Sequence, residues 1–287
     1  MARALRKFAC GYFAVAALSA LALSGSSSAS AAELVKFDGA SLRSRQGEQH
    51  YDRKGANLPG GKPDIQGYLT KPKGAGPFPA VVLLHSCLGL PANRGAIGDM
   101  VASWGYVALF VDDFTTRGIK ETCAVDFNEA LSDAFGALLY VSRLPYVDPT
   151  RIAAVGFSQG ADTALKIASS RFSSAFVVRD DLKFKAAAAF YPPCENQDGA
   201  KLEIPTLILI GESDDVTPMA DCRRLAERPE NRADVKLVVY PGADHGFDNP
   251  GFVGGARLFG MHLKYDQNAA EESKSELRDF LAAKLGR

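Results

Sequence analysis

The sequence predicts an α/β fold with a mostly parallel sheet covered by helices on both faces. Short, uninterrupted apolar runs recur along the chain, as expected of strands that are buried on both sides. Longer segments separate these runs, and in them apolar residues recur every three or four positions, which is the spacing of helices. Regular alternation of the two element types favours parallel strands joined by helices.

The individual elements follow from the same two patterns. Strands are predicted at about 34–37, 65–69, 80–84, 106–111, 152–155, 186–190, 206–210 and 235–239. Helices are predicted at 127–141, 161–167, 219–226 and 269–285. The sequence contains neither an internal repeat nor an interdomain linker, so we expect one folded domain.

The composition excludes some classes of function. With 47% hydrophobic and 23% charged residues, the chain is an ordinary globular protein. Its 33 basic and 33 acidic residues cancel, so no overall field attracts nucleic acid or an anionic membrane. Basic residues are not clustered among aromatic ones, which argues against nucleic-acid binding. No motif implies a metal or an organic cofactor, so none is expected.

The amino-terminal segment has the three parts of a secretory signal peptide. Arg3, Arg6 and Lys7 precede an apolar stretch at 8–23, and a Ser-rich, small-residue exit ends near residues 31 and 32. The alternative is a membrane anchor, but the stretch is as short as the shortest spans and is interrupted by small residues. We therefore expect a signal peptide at 1–31, an extension packing on the domain at 32–64, and the domain itself at 65–287. The mature protein is then exported, periplasmic or secreted, without stable membrane insertion.

Removal of the signal peptide leaves four cysteines, namely Cys87, Cys123, Cys194 and Cys222. An even number in an exported protein is consistent with two disulfides, for which three connectivities exist. None of the spacings is typical of a zinc site. Buried free thiols are the alternative.

The strongest chemical motif is the segment Gly-Phe-Ser-Gln-Gly at 156–160. It follows the apolar run 152–155 directly and opens a predicted helix, which is the strand–turn–helix setting of a nucleophile elbow. A turn this tight has no room for side chains at Gly156 and Gly160. Ser158 is therefore the candidate nucleophile, and a Gly/Ser turn without chemical meaning is the alternative.

A serine nucleophile needs a base, and His245 is the best placed of the four histidines in the mature chain. It comes just after the last strand run, so it lies at the carboxyl edge of the sheet, where α/β folds bind ligands. His50 and His262 lie in irregular regions. His85 precedes the serine, the wrong order for a triad of this kind. A purely structural role for His245 is the alternative.

The acid is expected after the strand at 206–210, in the segment Gly-Glu-Ser-Asp-Asp-Val-Thr-Pro at 211–218. Asp214 gives the chain order serine, acid, histidine of α/β-hydrolases, and it stands just before a short turn that ends in Thr-Pro. Asp215 is the alternative acid, with a capping or loop-stabilising role otherwise.

An oxyanion hole needs two amide donors. One is expected from Gln159, directly after the nucleophile, and the other from the loop after the strand at 80–84, where we choose Cys87. Arg117 could bind an anionic group of a substrate, and a salt bridge within its loop is the alternative.

Together these segments resemble the dienelactone hydrolase family of α/β-hydrolases, over about residues 65–285. The resemblance rests on the loop His-Ser-Cys-Leu-Gly-Leu at 85–90, the segment 111–118, the elbow, the segment 211–218 and the His245 loop. It implies an eight-stranded sheet, cofactor-free hydrolysis of small-molecule esters or lactones, and a triad of Ser158, Asp214 and His245. It also implies the disulfide pairs Cys87–Cys123 and Cys194–Cys222, because exported relatives carry cysteines at similar places.

This sequence departs from the family in two ways. The founding members use a cysteine nucleophile and a glutamate in the oxyanion loop, whereas this chain has Ser158 and, at the matching position, Ser86. Both changes predict a serine esterase rather than an enzyme for dienelactone itself. The other hypotheses are a peptidase or transacylase that uses the same triad, or a non-catalytic binding protein that kept the fold.

Overall fold

The computed structural model describes residues 32–40, 65–125, 127–176, 181–197, 199–231 and 234–286. The predicted signal peptide lies outside the described residues, as does most of the predicted extension. Within the described ranges, no helix is both long enough and apolar enough to cross a lipid bilayer.

An eight-stranded sheet forms the centre of the molecule. Its strands are β1 (Glu33–Phe37), β2 (Ile65–Thr70), β3 (Phe78–Leu84), β4 (Val107–Asp112), β5 (Val147–Phe157), β6 (Ala186–Phe190), β7 (Thr206–Gly211) and β8 (Val235–Tyr240). Their order across the sheet is β1-β2-β4-β3-β5-β6-β7-β8. The pairs β1–β2 and β2–β4 are antiparallel, and every pair from β4 to β8 is parallel. The predicted fold class and the strand count implied by the resemblance are both confirmed.

Helices cover both faces of this sheet. They are α1 (Arg94–Ser103), α2 (Ala130–Val141), α3 (Gln159–Ala168), α4 (Ser170–Ser173), α5 (Met219–Glu227) and α6 (Gln267–Leu285). Alternate strand residues separate the two faces. Val82, Ala154 and Ile208 belong to the side covered by α2, α3 and α5, whereas their neighbours Val81 and Ala153 belong to the side covered by α1 and α6. The central strands are apolar at every position because both of their faces are buried.

The helix α1 was not predicted from the sequence, because Gly95 and Gly98 weaken its helical pattern. The fold explains one of them. A side chain at Gly98 would place its Cβ 2.8 Å from Thr70 Oγ1, so glycine lets α1 lie close to β2. Contact with the sheet thus outweighs the poor intrinsic preference of this segment.

A short antiparallel hairpin was also not predicted. It consists of β9 (Ala256–Leu258) and β10 (Met261–Leu263), in the loop that follows the last strand of the sheet. Strands of three residues are too short for alternation to be recognised in the sequence. The hairpin is joined to the carboxyl edge of the sheet by a bridge between His245 and Leu263.

Candidate active site

Ser158 lies on a sharp turn between β5 and α3. Its φ of 53° is in the left-handed region, which residues other than glycine rarely adopt. A Cβ at Gly156 would lie 2.0 Å from Gly160 O, and a Cβ at Gly160 would lie 2.4 Å from Leu84 O. The two glycines therefore permit the close approach of α3 to the ends of β5 and β3. This is the geometry of a nucleophile elbow.

His245 stands opposite this turn, on the loop after β8. Its Nε2 is 2.9 Å from Ser158 Oγ, and its Nδ1 is 2.8 Å from Asp214 Oδ2. Since Nδ1 faces a carboxylate, the ring carries its hydrogen on Nδ1 and leaves Nε2 to accept the serine hydroxyl. The structure thus brings together all three residues of the predicted triad.

The carboxylate of Asp214 is held in place by the turn that follows it. Its Oδ1 accepts the backbone N–H groups of Val216 at 2.9 Å and Thr217 at 2.8 Å, and its Oδ2 accepts the Thr217 hydroxyl at 2.9 Å. The side chain of Asp214 is fully buried, whereas Asp215 is exposed. Of the two candidate acids, only Asp214 contacts His245.

The two predicted oxyanion donors lie on the loop after β3 and at the start of α3. Within the described part of the chain, neither the Cys87 amide nor the Gln159 amide donates a backbone hydrogen bond. Thr122 connects the two segments: its N–H donates to Cys87 O at 2.9 Å, and its hydroxyl donates to Gln159 Oε1 at 2.8 Å. Thr122 therefore ties together the two segments that carry these amides.

Two disulfides are present, Cys87–Cys123 and Cys194–Cys222. This is the pairing implied by the family resemblance. The first disulfide fixes the loop that carries the Cys87 amide to the segment that carries Thr122. The second joins the region after β6 to α5, the helix that follows the Asp214 turn.

Arg117 has a structural partner. Its Nη1 and Nη2 atoms donate to the two carboxylate oxygens of Asp133, at 2.5 and 3.0 Å, and Nη1 also donates to Asp113 O at 2.8 Å. The guanidinium is almost completely buried, and Arg117 is not among the residues that line the cavity beside Ser158. Arg117 therefore forms a salt bridge, but with α2 rather than within its own loop as expected.

A cavity of about 50 Å³ lies beside Ser158 and His245. Most of its wall is apolar, formed by Leu88, Pro91, Ile97, Phe110, Phe157, Phe252, Met261 and Leu263. A second cavity of about 140 Å³ adjoins it and shares Asn93, Ile97, Phe157 and Asp248. In the part of the chain that the structure describes, no three His, Cys, Asp or Glu side chains are grouped so that they could hold a metal ion.

Sequence reasoning did not identify the pair formed by Tyr191 and Asp248, which lines this cavity. The Tyr191 ring lies 4.6 Å from the His245 ring, and its hydroxyl donates to Asp248 Oδ1 at 2.7 Å. Burial raises the pKa of both side chains above their ordinary values, and for Asp248 the Tyr191 hydrogen bond opposes that rise. The only signal in the sequence was position, since Tyr191 directly follows β6 and Asp248 lies three residues after His245.

A second pair beneath the oxyanion loop was also missed. His85 Nε2 lies 2.7 Å from Asp113 Oδ1, an ion-pair distance at a poor hydrogen-bonding angle, and His85 Nδ1 donates to Ser86 O at 2.8 Å. Burial alone would lower the pKa of His85. The contact with Asp113, the Ser86 carbonyl and the charge of Asp112 together outweigh burial and raise that pKa above 6.5. His85 therefore holds its proton more strongly than an ordinary histidine does.

This pair predicts a pH-dependent stability. A histidine with a raised pKa stabilises the fold below its unfolded pKa, and this contribution is lost as pH rises through the folded pKa. We expect Asp113→Asn to lower the melting temperature more at about pH 5.5 than at about pH 9, because the charge-dependent part of the contact is lost as His85 gives up its proton at rising pH. Asp99→Asn, an exposed change on α1, is the control. An equal loss at both pH values would show that the pair adds no charge-dependent stability.

Comparison with known proteins connects this geometry to a family. The model of the dienelactone hydrolase family matches residues 65–285. A predicted carboxymethylenebutenolidase from Synechocystis sp. is 27% identical over 219 residues, which are 66% of this chain and 84% of that protein. Cutinase 1 from Thermobifida cellulosilytica is 28% identical over 154 residues, and the match spans about half of each protein, 54% and 55%.

The fold is shared with solved structures of low sequence identity. The crystal structure of a predicted dienelactone hydrolase from Klebsiella pneumoniae has a TM-score of 0.60 at 20% identity. The match covers 87% of this chain and 99% of that one. At this identity the likeness concerns the arrangement of strands and helices alone.

Proposed function

Because the chain belongs to the dienelactone hydrolase family, we propose that it hydrolyses carboxylic esters or lactones through an acyl-enzyme on Ser158. Membership of this family makes the protein a carboxylic ester hydrolase. The observation that carries the finer assignment is the chain of contacts from Ser158 Oγ through His245 to Asp214, at 2.9 and 2.8 Å. This is the arrangement that nucleophilic catalysis by a serine requires.

The first half of the reaction is acylation. His245 Nε2 takes the Ser158 proton as the hydroxyl oxygen attacks the carbonyl carbon of the ester. Asp214 holds the hydrogen on Nδ1 and stabilises the imidazolium that forms. Collapse of the tetrahedral intermediate breaks the bond to the leaving alkoxide, which receives its proton from His245. The ester carbonyl is then bound to Ser158 as an acyl group.

The second half repeats the attack with water. His245 removes a proton from the water molecule, and the resulting tetrahedral intermediate releases the carboxylic acid while Ser158 recovers its proton. In both halves, the amides of Cys87 and Gln159 bind the oxygen on which negative charge develops. Each donor of this kind is worth about 3 kcal/mol. The Thr122 hydrogen bonds and the Cys87–Cys123 disulfide support this role, because together they restrain the loop after β3 and the start of α3.

We also propose that the protein is exported. Disulfides persist in secreted and periplasmic compartments and are rare in the cytosol of mesophilic organisms, and this chain has two. The amino-terminal pattern at 1–31 is consistent with this proposal. The mature protein then begins near residue 32, just before β1.

A fluorophosphonate probe tests the proposed nucleophile. The probe reacts with an activated serine and mimics the tetrahedral intermediate, so we expect it to label the purified protein once per chain. Mass spectrometry of the digested protein is expected to place the label on the peptide that contains Ser158. Heat-denatured protein is the control, since an unfolded serine is not activated. Absence of label on the folded protein, or label on another residue, would contradict the assignment.

A further inference from the structure

The hairpin of β9 and β10 is amphipathic, and its apolar face continues the wall of the cavity. In an antiparallel pair, residues that are directly opposite lie on the same face. Leu258 is opposite Met261, and Ala256 is opposite Leu263. Met261 and Leu263 line the cavity beside Ser158, so Leu258 extends the same face outwards, where it is 38% exposed.

The other face of the hairpin is polar. Arg257 is opposite His262, and His262 Nδ1 lies 3.1 Å from Asp244 Oδ1. The hairpin therefore does not alternate at random between apolar and polar positions. One face lines the cavity and the other is polar. The apolar face also includes Leu258, which lies outside the cavity lining.

The tip of the hairpin carries a residue that the turn itself disfavours. Phe259 has a φ of 53° and Gly260 a φ of 82°, and positive φ at both central positions is typical of a type I′ turn. Such turns favour Asn-Gly, whereas a bulky residue with positive φ is an outlier. The Phe259 ring is 56% exposed, so it also contributes little to the core. The local structure offers no reason for a phenylalanine at this position.

These exposed apolar residues are grouped near the cavity. Within the described ranges, the exposed large hydrophobic residues are Leu34, Val125, Val253, Leu258 and Phe259. Three of the five belong to residues 253–259, the segment between the cavity residues Phe252 and Met261. Grouped exposed apolar side chains typically mark a binding surface.

The size of the cavity indicates what this surface binds. The cavity of about 50 Å³ beside Ser158 and the adjoining cavity of about 140 Å³ are together smaller than the roughly 300–1,000 Å³ of pockets that enclose a whole ligand. An ester with a long apolar acyl chain therefore leaves part of that chain outside both cavities. Leu258 continues outwards the cavity wall that Met261 forms, so the apolar face of the hairpin is available to this part of the chain.

We infer that Leu258 and Phe259 form a binding surface for the apolar part of an ester that extends beyond the cavity. The substrate class is then esters whose acyl group is a long apolar chain. This inference rests on the proposed ester hydrolysis and specifies its substrates. The inference explains with one role both the exposed Phe259 ring and the exposed Leu258 on the apolar face of the hairpin.

The double variant Leu258→Ser with Phe259→Asn tests this inference. Asn-Gly is the preferred pair for the turn, so the melting temperature is expected to stay the same or rise. For p-nitrophenyl decanoate we expect kcat/KM to fall about tenfold, mainly through a higher KM, because apolar contact with the long chain is lost. For p-nitrophenyl acetate, which is too small to reach the hairpin, kcat/KM is expected to change less than about twofold.

The control is Arg257→Ala, on the opposite face of the same hairpin, for which both esters are expected to behave as with the wild-type protein. Wild-type kinetics with both esters in the double variant would overturn the inference. The same holds if kinetics are unchanged and size-exclusion chromatography shows a loss of self-association, because the surface would then bind a second copy of the chain.

Binding of the unreactive ketone 2-dodecanone, measured by calorimetry, separates this inference from the proposed function. In one outcome the wild-type protein hydrolyses neither ester but binds the ketone more tightly than the double variant does. This result would support the binding surface and contradict the proposed reaction. In the other outcome the wild-type protein hydrolyses both esters, but it and the double variant bind the ketone equally well. This result would contradict the binding surface and support the reaction.

Discussion

Replacement of Ser158 by alanine is expected to lower kcat by a factor on the order of 10⁶ and to abolish labelling by a fluorophosphonate. The side chain that forms the covalent intermediate is lost, and neither His245 nor the oxyanion amides can substitute for it. In the part of the chain that the structure describes, the Ser158 hydroxyl has one side-chain hydrogen-bond partner, His245 Nε2. The melting temperature is therefore expected to remain nearly unchanged. Ester hydrolysis and thermal unfolding of the same preparation measure both effects.

Ser174→Ala is the matched control for this change. Ser174 is an exposed serine just after α4, beyond the end of α3 that is far from the nucleophile, and its hydroxyl donates to Ser170 O. Its removal is expected to leave turnover and labelling at wild-type levels. Activity close to wild type in Ser158→Ala would show that another residue is the nucleophile.

Replacement of Asp214 by asparagine is expected to lower kcat by about 10⁴-fold. The amide is nearly the same size as the carboxylate and keeps an oxygen for the N–H groups of Val216 and Thr217. It presents an N–H group to His245 Nδ1, however, and so favours the tautomer whose hydrogen is on Nε2. That tautomer cannot accept the proton of Ser158. Steady-state kinetics with a p-nitrophenyl ester measure the effect.

The neighbouring variant Asp215→Asn decides between the two acids that the sequence allowed. Asp215 is exposed and directly follows Asp214 in the chain. Its replacement therefore makes the same chemical change in the same loop. We expect its kcat to stay within about twofold of the wild-type value. If instead Asp215→Asn caused the large loss and Asp214→Asn did not, the assignment of the acid would be wrong.

The features that the sequence predicted correctly depend on short segments. The strands of the sheet are apolar at successive positions because both of their faces are buried. The elbow was recognisable because its steric demands fall on Gly156 and Gly160, within two residues of Ser158. The weakly patterned helix α1 and the hairpin of β9 and β10 were not found, since one contains glycines and the other has strands of three residues.

Short sequence segments did not predict the side-chain partners of several residues. Arg117 pairs with Asp133 on α2, His85 with Asp113 beyond β4, and Tyr191 with Asp248, 57 residues away. Each pair depends on the register of neighbouring strands and on the packing of a helix or loop against them. A sequence pattern contains no measure of these distances.

The sequence by itself determined the fold class, the place of the nucleophile turn and the chain order of serine, acid and histidine. These follow from periodicity and turn chemistry, which act over a few residues and leave a direct trace in the amino-acid pattern. Only the tertiary structure decided that Asp214 rather than Asp215 reaches His245, how small the cavity is, and that an apolar hairpin borders it. Those properties arise from the packing of segments that are far apart in the chain, such as those that carry His85 and Leu263 in the wall of one cavity, because burial and contact distance are set by the whole fold.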